Sequence, residues 1–268
     1  MNESAALPGG DGDGGCVVVT GAASGIGLAV TRWCVEQGYE VVAVDQDDAR
    51  LRSLELGESV AKVHVDVADA VGVADVLEPI CRGRQLVGAF LNAGVGHLGR
   101  LQKMTAEEMQ RVVDVNLWGT VHCTRTLAPY LTRTGVEMGR PTSLVLMASV
   151  SGVRPTAGES IYSAAKAAII SLTASMALEL APHVRSNCVS PGVVESNLTR
   201  YWLGMPGVRA EVERTNPMSG VAVPDEVAEV VGFLLSHRSV LLNGQNLVLD
   251  SGASLAHRQT HELLSSMI

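Results

Sequence analysis

The sequence predicts an α/β fold: a doubly wound parallel sheet of about seven strands with helices on both faces, forming a single domain. Three observations carry this. Short β-branched runs such as CVVVT (16–20) and EVVAVD (40–45) alternate along the chain with longer segments of helical period. The interiors of those runs, VVV and VVAV, are apolar at successive positions, as strands buried on both faces are. Two Phe, three Trp and four Tyr among abundant Ala, Val, Leu and Gly suit a helix-covered parallel sheet better than a sandwich. At 268 residues the chain can bury a full core as one unit.

The elements follow in order. CVVVT leads into GAASGIG and then LAVTRWCVEQ, a helix closed at Gly38 by a left-handed cap. EVVAVD completes a β-α-β unit whose glycines lie between strand and helix. A strand over KVHV (62–65), a helix from about Asp69 to Cys81 and a strand over VGAFL (87–91), ending in Asn92-Ala93-Gly94, come next. Helix is expected from about Thr105 through Asn116 toward Arg133, strand over 143–149, helix from IYSAAK to about Ala181, and strand over 184–190 before Pro191-Gly192. Residues 195–220 lack a strand and read as an insertion of loop and short helix; a helix near Pro224 and a strand over 245–250 complete the alternation. Right-handed crossovers then place the ligand at the strands' carboxyl ends.

Residues 16–256 form the expected α/β domain, with a loop at about 193–220 and a C-terminal tail at 257–268. Residues 1–15, MNESAALPGGDGDGG, have neither a cationic start nor an apolar stretch and are expected to be a flexible tail, not a signal peptide. No apolar run beyond strand length is evident, which argues against a membrane partner. Twenty Lys and Arg against 28 Asp and Glu give a net charge of −8 without a basic cluster, which argues against nucleic acid. Five scattered cysteines, with no C-x-x-C and no Cys/His grouping, fit a cytoplasmic setting and no metal site.

In TGAASGIG, Gly21 can make the tight turn after the strand, Gly25 can let backbone approach a pyrophosphate, and Gly27 can let helix and strand pack closely. Asp45 ends the next strand 18 residues after Gly27, near the spacing at which a carboxylate accepts both hydroxyls of an adenosine ribose. That carboxylate would repel a 2′-phosphate, and neither Ala22, Ala23, Ser24 nor Gln46 supplies a compensating cation. The expected cofactor is NAD. Asp66 is a candidate for the adenine amino group, and Val67 for a backbone contact.

These residues resemble the short-chain dehydrogenase/reductase family in its single-domain, classical, Rossmann-type form, from Cys16 to about Ser254. The resemblance rests on T-G-x-x-x-G-x-G at 20–27, the acid at 45, D-V at 66–67, N-A-G at 92–94, Asn116 in DVNLWG, Ser149, Y-x-x-x-K at 162–166, P-G at 191–192 and NGQNLVLDSG at 243–252. Departures are Leu91 before N-A-G, Ser196 where a threonine is common, and Asp250-Ser251-Gly252 at the close. The resemblance implies cofactor contacts at Gly21, Ser24, Gly25, Ile26, Gly27, Asn92, Ala93, Gly94, Tyr162, Lys166, Pro191, Gly192, Val194 and Ser196.

Tyr162 and Lys166 are four apart, so on a helix they share a face. A nearby ammonium favours a phenolate, and the tyrosine is expected to titrate below its usual value of about 10. By resemblance, Tyr162 is the general acid/base and Lys166 tunes it and holds the nicotinamide ribose. Ser149 would hydrogen-bond the substrate oxygen, and Asn116 would anchor a water leading to Lys166. The function implied is NAD(H)-dependent interconversion of a secondary alcohol and a ketone acting on a small-molecule substrate. A cyclic dihydrodiol dehydrogenase, a 3-oxoacyl-thioester reductase and a non-catalytic NAD(H)-sensing regulator are the alternatives. The resemblance also implies that the catalytic domain, 16–256, sets its substrate with the loop at about 193–220, where Tyr201, Trp202, Leu203 and Met205 are candidates to cover an apolar or ring-shaped substrate and Arg200 and Arg209 to meet a carboxylate; His97 and Glu195 stay outside the catalytic set. A homotetramer, or a homodimer, is expected.

Overall fold

A computed structural model of the chain describes residues 14–218 and 220–255; apart from residues 14 and 15, the expected tails lie outside the described residues. Seven parallel strands make one sheet: β1 (Cys16–Thr20), β2 (Glu40–Asp45), β3 (Val60–His64), β4 (Leu86–Leu91), β5 (Thr142–Met147), β6 (Val184–Pro191) and β7 (Asn246–Leu249), in spatial order β3-β2-β1-β4-β5-β6-β7. The order reverses between β1 and β4, where such sheets open a crevice at the carboxyl ends.

Successive strand residues point to opposite faces, so the sheet has two cores. Val18, Val42, Leu91, Leu144 and Leu146 pack under α3 (Ala70–Arg82), α5 (Gly119–Met138) and α7 (Ser160–Glu179). Val17, Val19, Val41, Ala43, Phe90 and Val145 pack under α1 (Gly25–Glu36), α2 (Asp48–Ser53) and α10 (Pro224–Leu235). Helix starts are set locally. Asp69 accepts the amides of Val71 and Gly72 at the start of α3. Thr105 and Glu108 form a reciprocal cap on α4 (Ala106–Val113).

Helices α1 and α10 approach closely because Gly232 lies against the indole of Trp33, where a Cβ would collide with the ring. Gly232→Ala should cost about 1–3 kcal/mol by overpacking and lower Tm by roughly 3–10 °C in a thermal melt.

The structure departs from the expected elements in a few places. The third strand starts at Val60, paired with Val41, rather than at Lys62. Helix α2 is additional: six residues with only Leu51 buried carry too little apolar pattern to announce a helix. A π-helical segment, Asp114–Trp118, interrupts the run from α4 to α5, and α5 continues to Met138, past Arg133. The short α6 (Val150–Val153) follows β5, and the insertion folds into α8 (Asn197–Leu203) and α9 (Val208–Thr215). Contrary to the expectation of strand-length apolar runs, α7 is long and apolar enough to cross a membrane by length and composition. It nonetheless buries Lys166 and packs Ile169, Thr173 and Ala177 inward.

Candidate active site

A cleft of about 510 Å³ opens at the carboxyl ends of the strands. It runs from Asp45, Gln46 and Asp66, past Gly21, Ser24–Ile26 and Asn92–Gly94, to Ser149, Tyr162 and Lys166, with Pro191, Gly192, Val194 and Ser196–Thr199 across from them. Every sequence-predicted site residue lines it except Gly27, which sits beneath the loop against the carbonyl of Gly21, where a Cβ would clash.

The glycine loop has the backbone its turn requires. Gly21 and Gly25 adopt φ of 67° and 53°, a region that glycine enters without a Cβ penalty. The loop feeds the N-terminus of the 12-residue α1, and the side chain of Ser24, just before it, makes no cap bond to the helix. Amides and dipole there favour an anion. The neighbouring strand end is tied to this loop, since Thr20 Oγ1 accepts the amides of Asn92 (2.9 Å) and Ala93 (3.1 Å). Asn92 Nδ2 also donates to the Thr20 carbonyl at 3.1 Å.

At one end of the cleft, the Asp45 carboxylate accepts the Ala23 amide (2.9 Å) and the Asp47 amide (3.0 Å), which pin it beside the glycine loop. Asp66 accepts the Ala68 amide at 3.0 Å and pairs with Arg111 of α4 at 2.9 Å. Burial would push the Asp66 carboxyl up, but that amide and the guanidinium together hold it below the ordinary value. Arg111 also donates to Gln46 Oε1 at 2.8 Å, bridging the ends of β2 and β3. Sequence reasoning missed this cation, because 65 residues separate it from Gln46 and nothing local marks it.

At the other end, Ser149 precedes α6 and its Oγ accepts the Ser151 amide at 3.1 Å, which leaves its own proton to donate. Buried Lys166 donates from Nζ to the Met147 carbonyl at 2.8 Å, and this Nζ lies 5.7 Å from the Tyr162 ring centroid. Burial pulls the Lys166 ammonium down to about 8. For Tyr162 the structure reverses the expected direction: burial pushes the phenol up to about 12, against a smaller downward pull from the Ser149 hydroxyl. The sequence shows the spacing to Lys166 but not the desolvation, which is the larger effect.

Asn116 lies in the π-helical segment, a feature frequent at functional sites. Its Nδ2 donates to the carbonyls of Val95 (2.8 Å) and Val112 (2.9 Å), while buried Oδ1 has no hydrogen-bond partner among the described residues. A Cβ on Gly94 would stand 2.8 Å from that oxygen and 3.6 Å from Lys166 Nζ, so glycine keeps the space between amide and ammonium open.

The segment over 193–220 corrects two expectations. Arg209 is held by Glu195 and Glu213, so it is not a free guanidinium for a substrate carboxylate. Tyr201 points outward at 81% exposure, while Leu203 is buried; neither they nor Trp202 and Met205 line the cleft. Asn197, Leu198 and Thr199 do, with Leu198 against Gly96. His97 lies outside the cleft lining.

A glycine loop at a helix N-terminus, at the switch point of a parallel sheet, defines a dinucleotide-binding class, and the residues fit such a cofactor: a phosphate cradle, a strand-end carboxylate and an unpartnered buried amide oxygen. A family model described as enoyl-(acyl carrier protein) reductase matches residues 21–254. Meso-2,3-butanediol dehydrogenase of Serratia marcescens is 33% identical over 253 residues, covering 92% of this chain and 97% of its own. A 3-oxoacyl-(acyl-carrier-protein) reductase of Thermotoga maritima is 32% identical over 248 residues, covering 90% and 98%. Among solved structures, 3-ketoacyl-(acyl-carrier-protein) reductase of Brucella melitensis complexed with NADH superposes with a TM-score of 0.83 at 28% identity, covering 90% of this chain and 98% of that one. The chain belongs to the short-chain dehydrogenase/reductase family of oxidoreductases, which use nicotinamide dinucleotides.

Proposed function

We propose that the protein is an NAD(H)-dependent oxidoreductase that interconverts a secondary alcohol and a ketone. The reading is carried by one arrangement: Asp45 stands at one end of a cleft whose other end holds Ser149, Tyr162 and Lys166. The names of the relatives, a diol dehydrogenase and an oxoacyl reductase, agree with alcohol–ketone chemistry.

When bound, the nicotinamide dinucleotide supplies or accepts the hydride. The remaining work falls to the chain. Ser149 Oγ, with one lone pair engaged by the Ser151 amide, donates a hydrogen bond to the substrate oxygen and stabilises charge developing there. Tyr162 gives a proton to that oxygen in reduction and takes it back in oxidation. Lys166, anchored on Met147 and lining the cleft, keeps a cation under the ring. Asn116 Oδ1 offers the next acceptor. Asp45 selects NAD over NADP because a carboxylate binds a ribose diol and repels a 2′-phosphate, while the nearby Arg111 is neutralised by Asp66. A cytoplasmic setting is part of this reading, supported by five free, buried cysteines.

Titration with NADH and NADPH, followed by a panel of ketones, diols and hydroxyacyl thioesters, tests it. Tighter binding of NADH and turnover of at least one panel member are expected. Binding of NADH without turnover of any member would favour an NAD(H)-sensing regulator.

A further inference from the structure

Glu159 lies just before α7 and outside the cleft lining, yet it is wired into the site. Its Oε2 accepts the hydroxyl of buried Ser151 at 2.7 Å, and the amide of that same Ser151 donates to Ser149 Oγ at 3.1 Å. Its carbonyl accepts the Ser163 amide at 2.7 Å, which makes it part of the first turn, three residues before Tyr162. Residues at that spacing are neighbours on a helix surface. Ser149 and Glu159 thus grip Ser151 from two sides, and Tyr162 stands beside both.

We propose that Glu159 is a positioning residue of the active site: through the hydroxyl of Ser151 its carboxylate fixes Ser149, and it places one negative charge beside Tyr162. An uncharged acceptor would satisfy Ser151 equally well, so the charge has its own consequence. Adding a like charge disfavours the phenolate. The direction agrees: burial raises Tyr162 most, the Ser149 hydroxyl opposes, and Glu159 raises it further.

Arg154, just after α6, and Glu179, at the far end of α7, are exposed, and further ionisable groups around α7 are engaged elsewhere. Lys166 is tied to Met147 and shares its pocket with the Cys188 thiol. From α4, Glu108 caps Thr105 and Arg111 holds Asp66, while Glu107 is solvent-facing and interacts with Thr105. Asp114 accepts from Gln110, and Arg185 of β6 donates to the carbonyls of Leu234 and Ser236. His97 folds against Gly99 in the loop after β4.

The inference rests on Tyr162 being the acid/base. Under that reading, Glu159 keeps the phenol protonated, ready to donate in ketone reduction, and moves alcohol oxidation to higher pH. Glu159→Gln keeps an acceptor for Ser151 and removes the charge. It should shift the pH midpoint of kcat/KM for oxidation down by roughly one unit. The phenolate absorbance titration of Tyr162, taken as the difference from Tyr162→Phe, should shift equally. Ser151→Ala keeps the charge but cuts the link, so kcat should fall about tenfold with an unchanged midpoint. An unmoved midpoint and an unmoved absorbance titration in Glu159→Gln would overturn the inference. Turnover surviving in Tyr162→Phe would instead overturn the acid/base reading, and because the absorbance titration needs no turnover, it would still decide the role of Glu159.

Discussion

Tyr162→Phe should lower kcat by about 10²–10⁴-fold, the usual contribution of a positioned acid/base, while the dissociation constant of NADH stays within a few-fold. The split follows from how the site is held. The ring remains over Lys166, whose Nζ is anchored on the Met147 carbonyl and not on the phenol. Ser149 keeps its bond from the Ser151 amide. Only the phenolic hydroxyl is lost, together with its hydrogen bond to the Ser149 hydroxyl. Lys166→Ala should behave differently, because it takes the ammonium from the Met147 carbonyl in a buried place and removes a group lining the cleft, so binding and turnover should both suffer. Stopped-flow turnover and fluorescence titration on the two variants separate these effects. Equal losses of binding and kcat in Tyr162→Phe would show that the phenol is a structural prop.

The parts of this site legible in the sequence are those written over a few neighbouring residues. The turn chemistry of Gly21 and Gly25 lies between one strand and one helix, and Asp45 closes the very next strand, so local pattern and spacing sufficed. Tyr162 and Lys166 share a helix face for the same reason. What escaped was either non-local or a matter of environment. Arg111 meets Gln46 and Asp66 across 65 and 45 residues, and a polar residue on an amphipathic helix advertises nothing. Glu159 reaches Ser151 through a loop whose path no periodicity sets. The π-helical turn at Asn116 carries the same apolar spacing as ordinary helix. Burial of Tyr162 reverses the titration expected from the lysine alone, and burial belongs to the fold, not to the motif. The fold itself was clearer than the site because two-sided strand burial repeats in the five inner strands, whereas α2 hangs on the single buried residue Leu51.

Asp45→Asn should weaken NADH binding about tenfold and strengthen NADPH binding, moving the ratio of the two dissociation constants by about 100-fold, or roughly 2.7 kcal/mol. Asparagine is the informative replacement because its carbonyl oxygen still accepts one of the two amides, Ala23 or Asp47, that pin the carboxylate, whereas alanine would strand both. The change then removes charge with little loss of loop geometry, and fluorescence titration with each cofactor reads the result. An unchanged ratio would show that Asp45 does not set the preference. The intuitive second step, Gln46→Arg, should add less than a free arginine would. It deletes the acceptor that Arg111 uses at 2.8 Å and puts a second guanidinium against the first. Relief comes only if Arg111 stays with Asp66, so the effect of a cation at position 46 depends on the ion pair 2.9 Å long at the end of β3. Adding Arg111→Ala to the double variant should therefore improve NADPH binding further if repulsion between the two cations is the limit. It should worsen binding if Arg111 itself meets the phosphate. The sign of that one change decides whether the strap between β2 and β3 excludes NADP or merely closes the adenine end.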